Sequence, residues 1–538
     1  MTYDLPSSST DTTRIAIVGA GSSGLAQLEQ LLEVWARDEV KTKLEVVVYE
    51  AREDVGGVWL ADEEQPKPHR LAKVSNSSGP MQVFSYPPAT QNPSPMYEGL
   101  RTNLPNDLMS FRGFKFPEGT ATFPDRDAIE KYLQAFAAHY NLLPYIRFNT
   151  RVQRLYLTPN PSAKSRKWTV ESSTAPYTEE KVEEFDHVSV TNGHYSDGWI
   201  PDVEGLASFP GQIIHSRFYR SAIDFVGQRI LVVGSYASGG DISRLIAGLN
   251  IDKYHPSGEP INGHPVDKFT EVYVSSSGPN PFAASLDGPW APFITYRPLI
   301  DRIDEEGRIH FHPSKGEGEE KRDDTPLEGI DTIIFATGYN FYLPFCKDTD
   351  APWNGKKLMT ERVKDGERDG GDEWEIGGLK GLGMKGLDEL LLFLEGDRSV
   401  AFPQLIYQCV PFPLAQVQAR LTSLLWAGLL PSFPAHPTPP PNPTNPFSIP
   451  SAPATASQPF DNADPTANSK PHRKVVLHRQ ELVFGAPYEW TYSEYLMDLM
   501  READERAGRE TEDHWKRVEP WRRERREQTD LRKKTLGY

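Results

Sequence analysis

The sequence is poor in cysteine. Among 538 residues there are two, Cys346 and Cys409. Two thiols cannot build a disulfide framework or a cysteine-based metal site, and these lie too far apart for a C-x-x-C pair. No metal site is expected. Basic charge is also scarce: 58 Lys plus Arg against 75 Asp plus Glu leaves a formal net charge of −17. Neutralising a phosphate backbone needs a basic face, so the balance argues against a dedicated nucleic-acid binder. No run of about 18 apolar residues exists, which excludes a spanning helix. The first 13 residues are polar and lack the apolar stretch of a signal peptide. A soluble chain in a reducing, cytoplasmic compartment is the expectation.

What is present is a repeated pattern. The β-branched run Arg14–Val18 leads into Gly19, Ala20, Gly21, Ser22, Ser23 and Gly24. Leu25, Leu28, Leu31, Leu32 and Trp35 then recur at helical spacing, and a second apolar run, Leu44–Tyr49, ends at Glu50. Strand, glycine turn, helix, strand and acid in that order make a βαβ dinucleotide-binding unit. Gly19 permits the tight turn, Gly21 lets backbone approach a pyrophosphate, and Gly24 lets helix and strand pack closely. The helix N-terminus offers free N–H groups to the phosphates, and Glu50 can accept from a ribose hydroxyl. After the acid come Gly56, Gly57 and Trp59, two exposed backbone amides and an aromatic that suits a large planar ligand.

A second unit begins at Arg229. Ile230–Val233 reads as a strand, and Gly234, Ser238, Gly239, Gly240 and Asp241 lead into a helix pattern, followed by a strand at Glu271–Val274. Tyr236 stands where the fingerprint has its middle glycine. Two dinucleotide turns imply two dinucleotides, which points to a flavoprotein reduced by a nicotinamide nucleotide. The pattern predicts an α/β fold with two Rossmann-like dinucleotide-binding domains, the smaller inserted in the larger. Residues 1–205 and 331–430 are assigned to the FAD domain and 206–330 to the NADP domain. Further expectations are a helix at Arg126–Tyr140, a strand at Tyr145–Leu157 and a buried strand at Asp331–Ala336. Two acidic, glycine-rich tracts, Glu305–Thr325 and Arg362–Gly386, read as excursions. Residues 431–470 hold about a dozen prolines and read as a disordered or polyproline-like insertion. Residues 471–538 form a helical, charged extension, and its tail, Trp515–Leu536, reads as a solvated helix face.

Between the two units, Phe209-Pro-Gly211-Gln-Ile-Ile-His215-Ser-Arg-Phe-Tyr219 resembles the F-x-G-x-x-x-H-x-x-x-[YF] signature of the flavin-containing monooxygenase family, the class B flavoprotein monooxygenases. Three other segments are similar to that family: Met96 to Pro105, Phe335 to Tyr339, and Pro411 to Arg420. With both glycine turns, the matches run in family order from residue 14 to about residue 430. The proline-rich stretch and everything after it match weakly.

The resemblance implies FAD along Gly19 to Gly24, Glu50, Gly57, Val58 and Trp59, with Thr102 and Asn103 near its ring. It implies a nicotinamide nucleotide, NADP(H), along Ser238, Gly239, Gly240 and Asp241. Asn103 is the expected catalytic residue, because an amide donates and accepts without charge. His215 is expected at the domain junction as a structural hydrogen bond. The implied reaction needs NADPH and O₂ and oxygenates a nucleophilic nitrogen or sulfur of a small molecule through a C4a-hydroperoxyflavin. The alternatives are a Baeyer–Villiger monooxygenase acting on ketones and a non-oxygenating flavin reductase. Tyr219 followed by Arg220 favours the nitrogen and sulfur branch over the Baeyer–Villiger one, whose signature ends in Trp. Family members often carry an apolar C-terminal anchor, and this chain ends in a charged segment, so no membrane anchor is expected. The family places an arginine for the 2′-phosphate at the end of the second unit's second strand. Here Val274 is followed by Ser275, Ser276 and Ser277, which bring no charge; Arg217 or Arg220 could supply it, and the resemblance favours NADPH, with NADH use or weak discrimination as the alternative.

Overall fold

The computed structural model describes residues 12–60, 94–159, 168–177, 179–201, 203–251, 269–278, 288–314, 322–354, 358–359, 378–381, 383–443 and 482–536. Two mostly parallel sheets organise them. The larger runs in the order Phe393–Leu394, Asp397–Ala401, His187–Val190, Thr12–Val18, Lys43–Tyr49, Ile146–Arg147. Its only antiparallel pairing among the described residues is the hairpin of the first two strands. Thr12–Val18 is central, and Ile15, Ala16 and Ile17 are fully buried. An apolar run without alternation is what a strand covered on both faces requires.

Helix Ser22–Trp35 packs against the long helix Pro411–Trp426. Every residue of the latter after Pro411 is buried. Its polar side chains therefore need partners. Gln27 Nε2 donates to the Ala419 carbonyl at 3.3 Å and to Ser423 Oγ at 3.0 Å. Arg112 N–H donates to Gln416 Oε1 at 2.7 Å, and Gln404 N–H to Gln418 Oε1 at 2.9 Å. Glu29 lies in the same contact, accepting from Gln30 Nε2 at 2.7 Å. Burial pushes its carboxyl up to about 7.

The smaller sheet runs Ile294–Arg297, Glu271–Ser275, Arg229–Val233, Thr332–Phe335, Gln212–His215, parallel throughout. The chain leaves the larger sheet after Val190 and returns to it at Phe393, so the smaller domain is an insertion in the larger. The α/β class and the nested arrangement agree with the sequence reading.

The expected boundary at residue 330 falls one strand early. Thr332–Phe335 pairs with Arg229–Val233 on one side and Gln212–His215 on the other, inside the smaller sheet. Its buried character was legible, whereas its pairing partners lie more than a hundred residues back. The strand expected at Tyr145–Leu157 is two strands. Ile146–Arg147 edges the larger sheet, Asn149 turns at φ +52°, and Thr150–Leu157 enters a separate antiparallel sheet with Trp168–Thr174 and Glu180–Phe185. Asparagine tolerates that left-handed turn better than most residues.

The proline-rich stretch is described only over 431–443, and there it is not free of packing contacts. Arg398 donates to the Pro434 and Ala435 carbonyls at 2.9 and 2.7 Å, and buried Asn442 donates to Val483 O at 3.1 Å. Residues 444–470 lie outside the described residues, as do 315–321 and 362–377 of the acidic tracts.

The charged tail departs from a solvated face. Trp515 and Arg522 are buried. Arg522 Nη1 donates to Leu108 O at 2.8 Å, Arg525 pairs with Asp107 at 2.6 Å and Arg526 with buried Glu489 at 2.9 Å. Arg522, Arg525 and Arg526 turn inward, because their fork of donors satisfies carbonyls and carboxylates that apolar residues cannot. Among the described residues no helix is long and apolar enough to cross a membrane.

Candidate functional site

The two βαβ units share one backbone plan. Gly19 has φ +104° and Gly234 φ +99°, the region that only glycine enters readily. A Cβ on Gly19 would lie 2.6 Å from the Thr191 carbonyl oxygen, and one on Gly234 2.6 Å from that of Ala336. A Cβ on Gly24 would lie 1.9 Å from Gly19 O, and one on Gly239 2.0 Å from Gly234 O. The Gly19 amide donates to Tyr49 O and the Gly234 amide to Ser275 O, both at 2.8 Å. Glu50 and Ser276 therefore hold corresponding positions, each one residue past the second strand of its unit.

Gly21 and Tyr236 also correspond. Each precedes its helix, with φ/ψ of −73°/−173° and −73°/−165°. This is extended backbone open to any residue, so the tyrosine departs from the fingerprint without strain. Its side chain keeps 43% of its surface exposed. The helical ladders start when Leu25 N–H bonds Gly21 O and Gly240 N–H bonds Tyr236 O. The amides of Ser22, Ser23 and Gly24, and of Ala237, Ser238 and Gly239, precede those ladders at the positive ends of the helix dipoles.

In the first unit the expected residues come together. Glu50 is buried; its Oε2 accepts from Ala20 N–H at 2.7 Å and its Oε1 from Arg52 N–H at 2.9 Å. Burial pushes its carboxyl up, opposed by those two bonds and the Arg52 charge. The next loop folds over the turn: Gly56 N–H donates to Ala20 O at 3.2 Å, and a Cβ on Gly57 would meet Gly21 Cα at 3.0 Å. Val58 O accepts from Ser94 Oγ, and Trp59 is half-buried against the core. A cradle that one methyl group would fill, beside a carboxylate, fits an extended dinucleotide such as FAD.

Thr102 and Asn103 belong to a segment wedged between the domains. Glu98 N–H donates to Arg220 O at 2.8 Å, and a Cβ on Gly99 would lie 2.9 Å from Leu245 Cδ2 on helix Ala237–Ala247. Thr102 is buried, its hydroxyl donating to Leu104 O at 2.8 Å. Asn103 follows in a bend, with its side chain exposed.

In the second unit Ser238 is half-buried in the first helical turn, and Gly239 and Gly240 are buried. Asp241 closes the first helical turn with its side chain engaged. Its carboxylate is buried, accepts from Arg532 Nη2 at 3.1 and 3.3 Å and from Tyr97 Oη at 3.4 Å, and lies 3.6 Å from Arg244. It ties the smaller domain to the tail and to the wedged segment. Arg217 and Arg220 are likewise engaged at the junction. Arg217 Nε donates to Ser196 O at 2.6 Å, and Arg220 Nη1 to the Arg217 and Tyr219 carbonyls at 2.7 and 2.9 Å. Outside every motif, Arg322 reaches Ser276, and nothing in the local sequence signals this.

His215 ends the strand Gln212–His215 and sits where two interdomain passages run side by side. Its Nδ1 accepts from Arg217 N–H at 3.1 Å, so Nε2 carries the proton and donates to Gly338 O at 2.9 Å. The same carbonyl accepts from Trp199 N–H at 2.8 Å. A Cβ on Gly198 would lie 2.5 Å from the ring, so glycine there makes room for the imidazole.

A family model described as "FMO-like: Flavin-binding monooxygenase-like" matches residues 88–250, spanning the wedged segment, the junction and the second turn. The chain is 30% identical over 343 residues to "Flavin-containing monooxygenase FMO GS-OX5" of Arabidopsis thaliana, covering 62% of each. It is 25% identical over 339 residues to "Senecionine N-oxygenase" of Tyria jacobaeae, covering 63% of this chain and 60% of that one. The match to the first of these curated relatives thus spans 62% of its length. In fold it is similar to S-allyl-L-cysteine S-oxygenase from Allium sativum, with a TM-score of 0.62 at 21% identity over 97% of this chain and 93% of that one.

Proposed function

We propose that the chain, whose residues 88–250 match a flavin-binding monooxygenase-like family model, is a flavin-containing monooxygenase that uses NADPH and O₂ to oxygenate a nucleophilic nitrogen or sulfur of a small molecule. The observation that carries this reading is the duplicated turn: two dinucleotide cradles of one backbone geometry, with the segment at Glu98 and Gly99 packed against the smaller domain.

FAD belongs in the first cradle. The amides of Ser22, Ser23 and Gly24 and the dipole of their helix hold its pyrophosphate, Glu50 accepts from its ribose, and Trp59 walls the cavity. Bound there, FAD supplies the two-electron chemistry and the activation of dioxygen. The nicotinamide nucleotide belongs in the second cradle, its pyrophosphate on the amides around Ser238. Asn103 offers a neutral donor and acceptor at the seam of the two domains, which suits holding polar oxygen and carboxamide groups without a fixed charge. A nitrogen or sulfur substrate is supported by the N-oxygenase among the relatives and by the ending of the signature in Tyr219-Arg220.

The test is direct. Purified protein is examined for flavin absorbance and for NADPH consumption in air with a panel of amines, sulfides and ketones, using ¹⁸O₂ and product mass. Label in an N- or S-oxide is the expected result. Release of all consumed oxygen as hydrogen peroxide, or label in an ester, overturns it.

A further inference from the structure

We propose that Arg322 selects NADP(H) over NAD(H) by binding the adenosine 2′-phosphate at Ser276. The proposal rests on the reading of the second cradle as the nicotinamide site. In a βαβ unit the residue past the second strand faces the adenosine ribose: an acid there takes the 2′-hydroxyl, and an arginine nearby accommodates a 2′-phosphate. The internal repeat identifies that position without reference to any ligand. Gly19 bonds the residue before Glu50 as Gly234 bonds the residue before Ser276, each at 2.8 Å. The first unit thus carries an acid at this place. The second carries a hydroxyl, which does not repel phosphate.

The charge comes from elsewhere in the chain. Arg322 Nη1 donates to Ser276 O at 2.7 Å, to Ser276 Oγ at 3.0 Å and to Arg297 O at 3.2 Å. Its guanidinium lies 5.4 Å from the centre of the Tyr296 ring, which fixes its plane. These contacts employ one nitrogen; among the described residues none employs Nε or Nη2, which leaves an edge of the fork for a phosphate. Burial holds the Arg322 guanidinium below its usual range, a penalty that a bound dianion offsets. The adjacent acids are already engaged. Asp323 pairs with Arg297, whose strand runs in register with Ser275, and Asp324 accepts from Ser314 N–H at 3.2 Å.

The experiment is calorimetric titration of the full-length flavoprotein with NADP⁺, NAD⁺ and adenosine 2′,5′-bisphosphate. Arg322→Ala should weaken NADP⁺ and the bisphosphate roughly 10- to 100-fold and leave NAD⁺ within about twofold, as expected for removing charge-assisted bonds to one phosphate. Arg322→Lys should restore part of the loss, and Ser276→Glu should reverse the preference. Equal weakening of both coenzymes by Arg322→Ala would mean that the arginine only braces the strand end, and overturns the proposal. So does unchanged NADP⁺ affinity, or wild-type protein that binds both coenzymes equally. Wild-type protein that binds neither overturns the assignment of the second cradle itself, and with it the role of Arg322.

Discussion

His215 Nε2 donates to the carbonyl of Gly338 at 2.9 Å, and so joins the last residue of an edge strand to the passage by which the chain leaves the smaller sheet. The ring is neutral in this arrangement, because its other nitrogen accepts from Arg217. The two bonds make the imidazole a strut between chain crossings.

Replacing that strut tests the assignment. His215→Ala leaves the buried Arg217 amide without its acceptor and should lower stability by about 1–3 kcal/mol. Thermal unfolding should show the loss, while the pH dependence of kcat keeps its shape. A displaced pH profile with unchanged stability would instead mark proton transfer.

Glu29 predicts a pH effect. Its carboxyl is raised from the ordinary 4.5 to about 7 by burial, so folding favours the protonated form. Its contribution is fully present below pH 4.5 and declines as pH rises through about 7. Glu29→Gln should therefore raise the melting temperature at pH 8 and change it little at pH 4. The gain at the higher pH should be about 1–3 kcal/mol.

The turns predict a contrast among three substitutions. Gly24→Ala and Gly239→Ala each force a methyl within 2.0 Å of a carbonyl oxygen of the preceding turn, and both should destabilise severely or prevent folding. Tyr236→Gly occurs where the backbone is extended and should cost only about 0.5–1 kcal/mol of chain entropy. Circular dichroism and thermal melts distinguish the cases.

Arg522 is buried, with donors on the carbonyls of Leu108 and Ser110. Arg522→Ala strips those carbonyls of a charged donor in a dry site and should destabilise by about 2–4 kcal/mol. Arg523 beside it is more exposed and pairs with Glu494. Its alanine variant should change stability by less than about 1 kcal/mol. Denaturant midpoints of the two variants give the comparison.

What was legible in the sequence was local. Gly24 revealed the first cradle because any side chain there strikes the Gly19 carbonyl of the same turn, and Gly19 because its backbone takes a left-handed φ. Glu50 was legible because it ends the neighbouring strand. What was hidden depends on contacts between distant residues. Thr332–Phe335 reads as a buried strand in either sheet, and only its partners decide which. Asp241 sits at a fingerprint offset, yet Arg532 claims it from 291 positions away. The tail arginines read as solvated because interleaved charge usually is, and their carbonyl partners at Leu108 and Ser110 carry no sequence signal.

Gly56 and Gly57 close over the first turn, whereas at the second Tyr236 stands open to water. Among the described residues, main chain lies over the first turn, and a half-exposed side chain stands at the second. The contrast predicts slower release of a nucleotide from the first turn than from the second, which the dissociation rates of the two from purified protein would check.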